Sequence, residues 1–201
     1  MKSLTLSTVS ALVLGLACTN TFAIDGTITV NGVVTDSTCT LTGSGAGGSG
    51  SKNIVVTLDT VPTSTFTTAN QSANTKNFDL QLKNGAGTGG CDAATNKALK
   101  GLLLETAAAT DYDSANKTAL VNKAGGASTT NPVFIQILTD ADTPVDYSQA
   151  WGTQAKSAIT GLAADGTGTA TMTYKARYFT KSGTVDAQNV TATVNYTLQY
   201  N

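Results

Sequence analysis

The sequence of 201 residues contains no histidine, only three prolines and few charged side chains. Charged residues make up 12%, which is about half of the usual share in globular proteins. The missing histidine removes the most frequent general base, and no paired carboxylates stand out to replace it. The few basic residues form no cluster, so nucleic acid is not expected as a partner. We therefore expect no catalytic residue, no cofactor and no metal.

The first 23 residues have the pattern of a secretory signal peptide. Lys2 precedes a short apolar stretch at Val9–Ala17, and Thr21–Ala23 offers small residues for cleavage after Ala23. A membrane anchor would need roughly 18 or more apolar residues, so it fails on length. Lipidation at Cys18 is a second alternative, but the residues before it lack the large aliphatic side chain of a lipidation signal. We predict an exported chain of about 178 residues, enough for one domain with its own core, carrying 11 basic and 13 acidic residues.

Removal of this leader would leave two cysteines, Cys39 and Cys91. An even pair in an exported chain indicates a disulfide. It would close a loop of 52 residues, and in the chain-entropy model a disulfide of this span stabilises the folded state by about 4 kcal/mol. Two cysteines without histidine do not make a zinc site, and no C-x-x-C redox spacing is present.

The last twelve residues alternate between apolar and polar side chains. This period of two predicts a half-buried β-strand over residues 190–201. A chain end frays unless something pairs with it, so the edge of this strand needs a partner. The apolar face consists of Val190, Ala192, Val194, Tyr196, Leu198 and Tyr200.

A second alternating strand follows the leader. One of its faces carries Ile24, Gly26, Ile28 and Val30. A glycine inside such a strand often marks the close approach of another backbone or side chain. The simpler alternative is that this segment is the first strand of a sandwich.

Between the two terminal strands, the sequence predicts short strands separated by turns and little helix. A helical turn is expected within Cys91–Lys100, and the glycine-rich stretches 43–50 and 85–90 are predicted loops. The second stretch matches G-x-G-x-x-G, but the half-polar strand before it does not fit a dinucleotide site. Seven or more short strands favour an all-β sandwich. The predicted strands are Val33–Leu41, Ile54–Leu58, Phe78–Lys83, Gly101–Glu105, Pro132–Leu138 and Thr169–Phe179.

The order of several segments resembles pilins of the chaperone–usher class, closest to type 1 fimbrial major subunits. The resemblance covers essentially all of the chain after residue 23. Each segment alone is weak, but their order and spacing together are specific. The segments are V-N-G-V-V-T-D-S-T-C ending at Cys39, F-D-L-Q-L-K before Cys91, V-F-I-Q-I-L, Y-K-A-R-Y-F and the alternating C-terminus with Tyr200 as its penultimate residue.

The resemblance implies an immunoglobulin-like β-sandwich that lacks one strand and is completed by a donor strand from a neighbouring subunit. Residues 24–32 would be the donor extension and residues 33–201 the pilin domain. Ile24, Gly26, Ile28 and Val30 would enter the groove of the neighbour, and the apolar face of residues 190–200 would form the acceptor edge. A periplasmic chaperone and an outer-membrane usher of a Gram-negative bacterium are the implied partners.

This family implies a structural subunit of an extracellular fimbria that supports cell adhesion and biofilm formation. One alternative is a secreted β-sandwich that binds a sugar or a protein receptor, as a minor or tip-associated adhesin would. Two-domain tip adhesins carry a separate lectin domain, for which this chain has no room. An exported enzyme is the third class, and no constellation of side chains supports it.

Overall fold

The computed structural model describes residues 39–45 and 47–201. The predicted leader and the predicted donor residues Ile24, Gly26, Ile28 and Val30 lie outside these ranges, as does most of the predicted strand Val33–Leu41. No helix in the described part of the chain is long and apolar enough to span a membrane.

The described residues form nine β-strands, one short α-helix and one 3-10 turn at Thr63–Thr65. Chain order gives β1 Thr40–Ser44, β2 Gly48–Ser49, β3 Val55–Val56, β4 Ser72–Lys83, α1 Ala93–Ala98, β5 Leu99–Glu105, β6 Phe134–Thr139, β7 Ile159–Leu162, β8 Gly168–Phe179 and β9 Asn195–Tyr200. The all-β fold predicted from the sequence is confirmed.

The larger sheet is built around β8, which has partners on both edges. β4 pairs with one edge, and β6 and β7 share the other, while β1 lies beyond β4. All these pairs are antiparallel. The predicted alternation of this strand is confirmed, since Ala170, Met172, Tyr174 and Ala176 are buried.

A smaller sheet consists of β5 and β9, paired antiparallel. Leu102 and Leu104 from this sheet share one hydrophobic cluster with Leu80 and Met172 of the larger sheet. The two sheets therefore cover a common core, which is the arrangement of a β-sandwich. This fits the immunoglobulin-like architecture that the resemblance implies.

The predicted disulfide joins Cys39, directly before β1, to Cys91, directly before α1. Their Cα atoms are 5.9 Å apart, within the range that a disulfide spans. Asp92 caps α1, because its side chain accepts a hydrogen bond from the backbone N–H of Thr95. The helical turn expected in this region is thus confirmed as α1.

Several predicted boundaries are wrong. β4 begins at Ser72 and not at the predicted Phe78. The stretch 43–50 is not all loop, because Gly43 and Ser44 extend β1 and residues 48–49 form β2. Only Val55 and Val56 of the predicted strand Ile54–Leu58 are paired, and they pair with the two residues of β2. At the C-terminus, residues 190–194 are not in a strand, so β9 is half as long as predicted. Alternation reports the face of each side chain but not whether a neighbour supplies hydrogen bonds.

Candidate functional site

The last residues of the chain, 190–200, form what we call the C-terminal segment. An apolar groove runs beside its residues 190–196. One wall is this segment, and the opposite wall is the segment Lys52–Leu58 around β3. We call this feature the C-terminal groove. Its floor consists of core side chains from four strands: Phe78 and Leu80 of β4, Leu104 of β5, Ile137 of β6, and Tyr174 and Ala176 of β8.

Two adjoining cavities make up the groove. The first, of about 770 Å³, lies between Ile54 and Tyr196. The second, of about 530 Å³, shares Val56 and Val194 with the first. Together they follow the seven residues 190–196, which in an extended chain span roughly 20 Å. A third cavity, of about 910 Å³, adjoins the second at Val190 and has a more polar lining that includes Asp186, Gln188 and Asn189.

The floor of the groove is apolar and well packed. Phe78 and Tyr174 stack with their ring centroids 6.2 Å apart. Phe78 and Ile137 are buried, at 5% and 8% exposure. The groove is therefore an elongated trough over the core. Small-molecule sites are typically compact pockets with converging polar groups, and the groove does not have that shape.

The C-terminal segment keeps the alternation seen in its sequence. Even-numbered residues from Val190 to Leu198 are half-buried and face the core, while Thr191, Thr193, Asn195 and Thr197 are exposed. No residue from 190 to 201 is fully buried, and Tyr200 is 38% exposed. The segment thus contributes a half-covered apolar face to the wall of the groove.

The backbone edge of this segment that faces the groove has no strand partner among the described residues. β9 pairs with β5 on its other edge only. Before β9, Thr191 is held instead by Asn122 and Lys123: its N–H donates to the Asn122 side chain (2.9 Å), and its carbonyl accepts from the Lys123 N–H (2.7 Å). The region combines an apolar trough with an open strand edge.

One hydrogen bond crosses the groove. The Tyr196 hydroxyl donates to the backbone carbonyl of Lys52 at 2.9 Å. Partial burial raises the pKa of this hydroxyl, so it remains a neutral donor over the physiological range. The contact ties the C-terminal segment to the opposite wall at one end of the groove.

The structure places the six sequence-predicted acceptor residues at two kinds of position. Val190, Ala192, Val194 and Tyr196 line the groove. Leu198 and Tyr200 lie beyond it, opposite Leu102 and Leu99 of β5.

The opposite wall of the groove is not predicted from the sequence. The segment Ile54–Leu58 reads as an ordinary short strand because of its β-branched residues. Val55 is 59% exposed, while Ile54 and Val56 face the core cluster. The feature that marks this wall is a short apolar stretch whose backbone is paired over only two residues. That pairing is visible in the fold and not in the sequence.

No cluster of metal-binding character is left free in the described residues. Their acidic and sulfur side chains converge at one place, where Cys39, Cys91 and Asp92 meet. Both sulfurs are joined in the disulfide, and Asp92 caps α1. Without a thiolate this trio lacks the ligands of a zinc or iron–sulfur site.

Known fimbrial proteins are similar to this chain over nearly its whole length. The F17 fimbrial protein of Escherichia coli is 32% identical over 90% of this chain and 89% of its own length. The major fimbrial subunit SMF-1 of Stenotrophomonas maltophilia is 31% identical over 89% and 94%. A crystal structure of a type I fimbria protein of Burkholderia pseudomallei matches with a TM-score of 0.49 and 22% identity, over 81% of this chain and 95% of its own. No protein-family model matches the chain.

Proposed function

This chain belongs to the family of fimbrial subunit proteins, and we propose that it polymerises by strand complementation through the C-terminal groove. In this proposal residues 1–23 are the removed leader, residues 24–32 the donor extension and residues 33–201 the domain that accepts a donor. The observation that carries the proposal is the apolar groove beside an unpaired strand edge. A fimbrial structural subunit is not an enzyme, and nothing in the groove suggests catalysis.

The sequence of the donor extension fits the shape of the groove. Ile24, Gly26, Ile28 and Val30 lie on one face of an alternating segment of seven residues, and the groove follows seven residues of the C-terminal segment. A strand added there would satisfy the backbone groups of one edge and place apolar side chains on the floor. This mode of recognition is β-augmentation.

The expected free energy of donor-strand insertion is sufficient for a stable fibre. Burying roughly 300–500 Å² of apolar surface contributes on the order of 10 kcal/mol before the cost of ordering the donor. The backbone hydrogen bonds of the added strand contribute further, and release requires all of them to break together. The contact joins the extension of one subunit to the groove of the next, so it is heterologous and generates an open filament.

An exposed apolar trough is also a hazard before assembly. A half-finished sheet edge is prone to aggregation, so the subunit needs a temporary occupant of the groove during export. We propose that a periplasmic chaperone supplies it and that an outer-membrane usher exchanges it for the next donor extension. The finished fimbria would be extracellular and would support adhesion and biofilm formation.

The decisive experiment compares the mature chain, residues 24–201, with a truncated chain, residues 33–201, that lacks the donor extension. We expect the mature chain to form SDS-resistant ladders and filaments, and the truncated chain to remain monomeric. A synthetic peptide of residues 24–32 should bind the truncated chain in native mass spectrometry and raise its unfolding temperature.

Two peptide variants separate insertion into the groove from general stickiness. Gly26→Leu places a large side chain on the inserted face and should abolish binding. Thr29→Leu adds a side chain of the same size on the opposite face and should bind as well as the natural peptide. Ladders from the truncated chain, or equal binding of both variant peptides, would contradict the proposal.

A further inference from the structure

The outer edge of β5 is covered by a side chain rather than by a strand. The carboxamide of Gln154 bonds both backbone groups of Leu104: the Leu104 N–H donates to Oε1 (2.9 Å), and Nε2 donates to the Leu104 carbonyl (2.8 Å). Nε2 also donates to the carbonyl of Asp146 at 3.1 Å. Gln154 is 2% exposed, so the amide is buried and held by these three hydrogen bonds.

These bonds lie on the side of β5 that faces away from β9. The N–H and the carbonyl of one strand residue point to the same side, and neighbouring residues alternate between the two sides. Since β9 already pairs along one side of β5, the groups of Leu104 that meet Gln154 belong to the opposite side. The amide of Gln154 therefore occupies the position that an added strand would take.

Two further features make the same edge unsuitable for pairing. The register of β5 shifts between Leu99 and Gly101, which leaves the exposed Lys100 as a bulge. The ring of Trp151 covers the face of β5 beside this edge, 3.2 Å from where a Cβ of Gly101 would be, and the ammonium of Lys156 lies 4.4 Å from the centre of that ring. Bulges, charges and covering loops are the usual means of blocking a sheet edge.

We propose that Gln154 acts as an edge guard, a residue that determines which edge of the β5–β9 sheet accepts a strand. With the β5 edge closed, strand addition is possible only beside β9, so each subunit takes one donor and the polymer stays unbranched. This inference goes beyond the proposed function, because it concerns the edge that assembly does not use. Its first test is made on the monomer and does not depend on whether the groove accepts a donor strand.

The first test measures amide hydrogen exchange by NMR in the truncated chain of residues 33–201, which lacks the proposed donor extension and is expected to stay monomeric. The Leu104 amide should exchange as slowly as the amides paired between β4 and β8. Gln154→Ala should accelerate exchange at Leu104 on the order of tenfold or more, because its only acceptor is lost. Gln149→Ala is the matched control, since Gln149 lies in the same loop, is exposed and bonds Thr153 rather than β5. Rapid exchange at Leu104 in the unmutated chain would overturn the assignment.

The second test asks whether the freed edge recruits strands. Gln154→Ala should increase lateral association severalfold in sedimentation velocity and produce branched or bundled filaments in electron micrographs. Adding Leu103→Lys places a charge on the half-buried outer face of β5 and should suppress that association. If association persists in the double variant, it arises from unfolding, and the guard role is wrong. Unbranched filaments and an unchanged sedimentation profile for Gln154→Ala would also refute it.

Discussion

β8 and the C-terminal segment share the same alternating sequence pattern but differ in burial. In β8, Ala170, Met172 and Tyr174 are at most 1% exposed. In residues 190–198 the corresponding positions are only half-buried, and Tyr200 is exposed. The two segments differ in their neighbours, because among residues 39–45 and 47–201 β8 is paired on both edges and β9 on one. Alternation therefore specifies which side chains face the core, and a second neighbouring strand is what buries them.

The two edges of the smaller sheet also differ in what covers them. The outer edge of β5 is covered by Gln154 from within the chain, and the edge of β9 borders the C-terminal groove. A sheet edge can be finished by the chain itself or left for another segment. Residues on the first kind of edge should matter most to folding, and residues on the second kind most to assembly.

Truncation of a core residue in each segment should give the largest difference between them. Met172 lies between β4 and β7 and is fully buried, so Met172→Ala should lower the free energy of unfolding by about 3 kcal/mol. Leu198 is half-buried, and Leu198→Ala should cost only about 1 kcal/mol in the monomer. Urea unfolding of the monomeric truncated chain, residues 33–201, measures both.

The exposed Thr197 provides the control for this pair, because Thr197→Ala changes the same strand without touching the core. Its unfolding free energy should be within about 0.5 kcal/mol of the unmutated chain. Equal losses for Met172→Ala and Leu198→Ala would show that the C-terminal strand is as enclosed as β8, and the comparison would fail.

A smaller effect is expected from the hydrogen bond that crosses the groove. Tyr196→Phe removes the bond to the Lys52 carbonyl and should lower the unfolding free energy by about 1 kcal/mol or less, since the hydroxyl is partly exposed. The freed wall should also admit the peptide of residues 24–32 faster, which stopped-flow fluorescence of a labelled peptide measures on the truncated chain.

Tyr200→Phe serves as the matched tyrosine control, because Tyr200 lies beyond the groove at the end of β9. It should leave the uptake rate of the peptide unchanged. Slower uptake with Tyr196→Phe would mean that the hydroxyl assists the incoming strand instead of closing the groove to it.

The paired part of the fold could largely be predicted from the sequence. Strands at β4, β6 and β8, the helical turn at α1 and the disulfide between Cys39 and Cys91 follow from local patterns and cysteine count. Local signals suffice there because each strand is completed by other parts of the same chain. The face of the C-terminal segment was also predicted, down to the half-buried even-numbered residues.

The walls of the groove and the cover over β5 could not be predicted in this way. Both depend on contacts between residues far apart in sequence, such as Tyr196 with Lys52 and Gln154 with Leu104. β7 was likewise missed, because Ile159–Leu162 contains Gly161 at a positive φ of 78° and lacks a clear alternation. Composition and period carry no information about which distant segment supplies a hydrogen bond.

Acid should destabilise the fold only slightly and only at low pH, and the C-terminal segment should open before β8. Asp186, just before that segment, accepts hydrogen bonds from Ser128 (2.6 Å) and Asn131 (3.1 Å), which lower the pKa of its carboxyl group. A lowered pKa in the folded state contributes stability that is present above the unfolded value of about 3.9 and is lost as the pH falls through the folded value.

Because the sequence contains no histidine, the urea midpoint should stay level between pH 8 and pH 5. Below about pH 4, amide exchange in residues 185–194 should accelerate before exchange in β8, and Asp186→Asn should reduce that difference. A fall in the midpoint between pH 7 and pH 5, or simultaneous opening of both segments in acid, would show that the C-terminal segment is held by other groups than these.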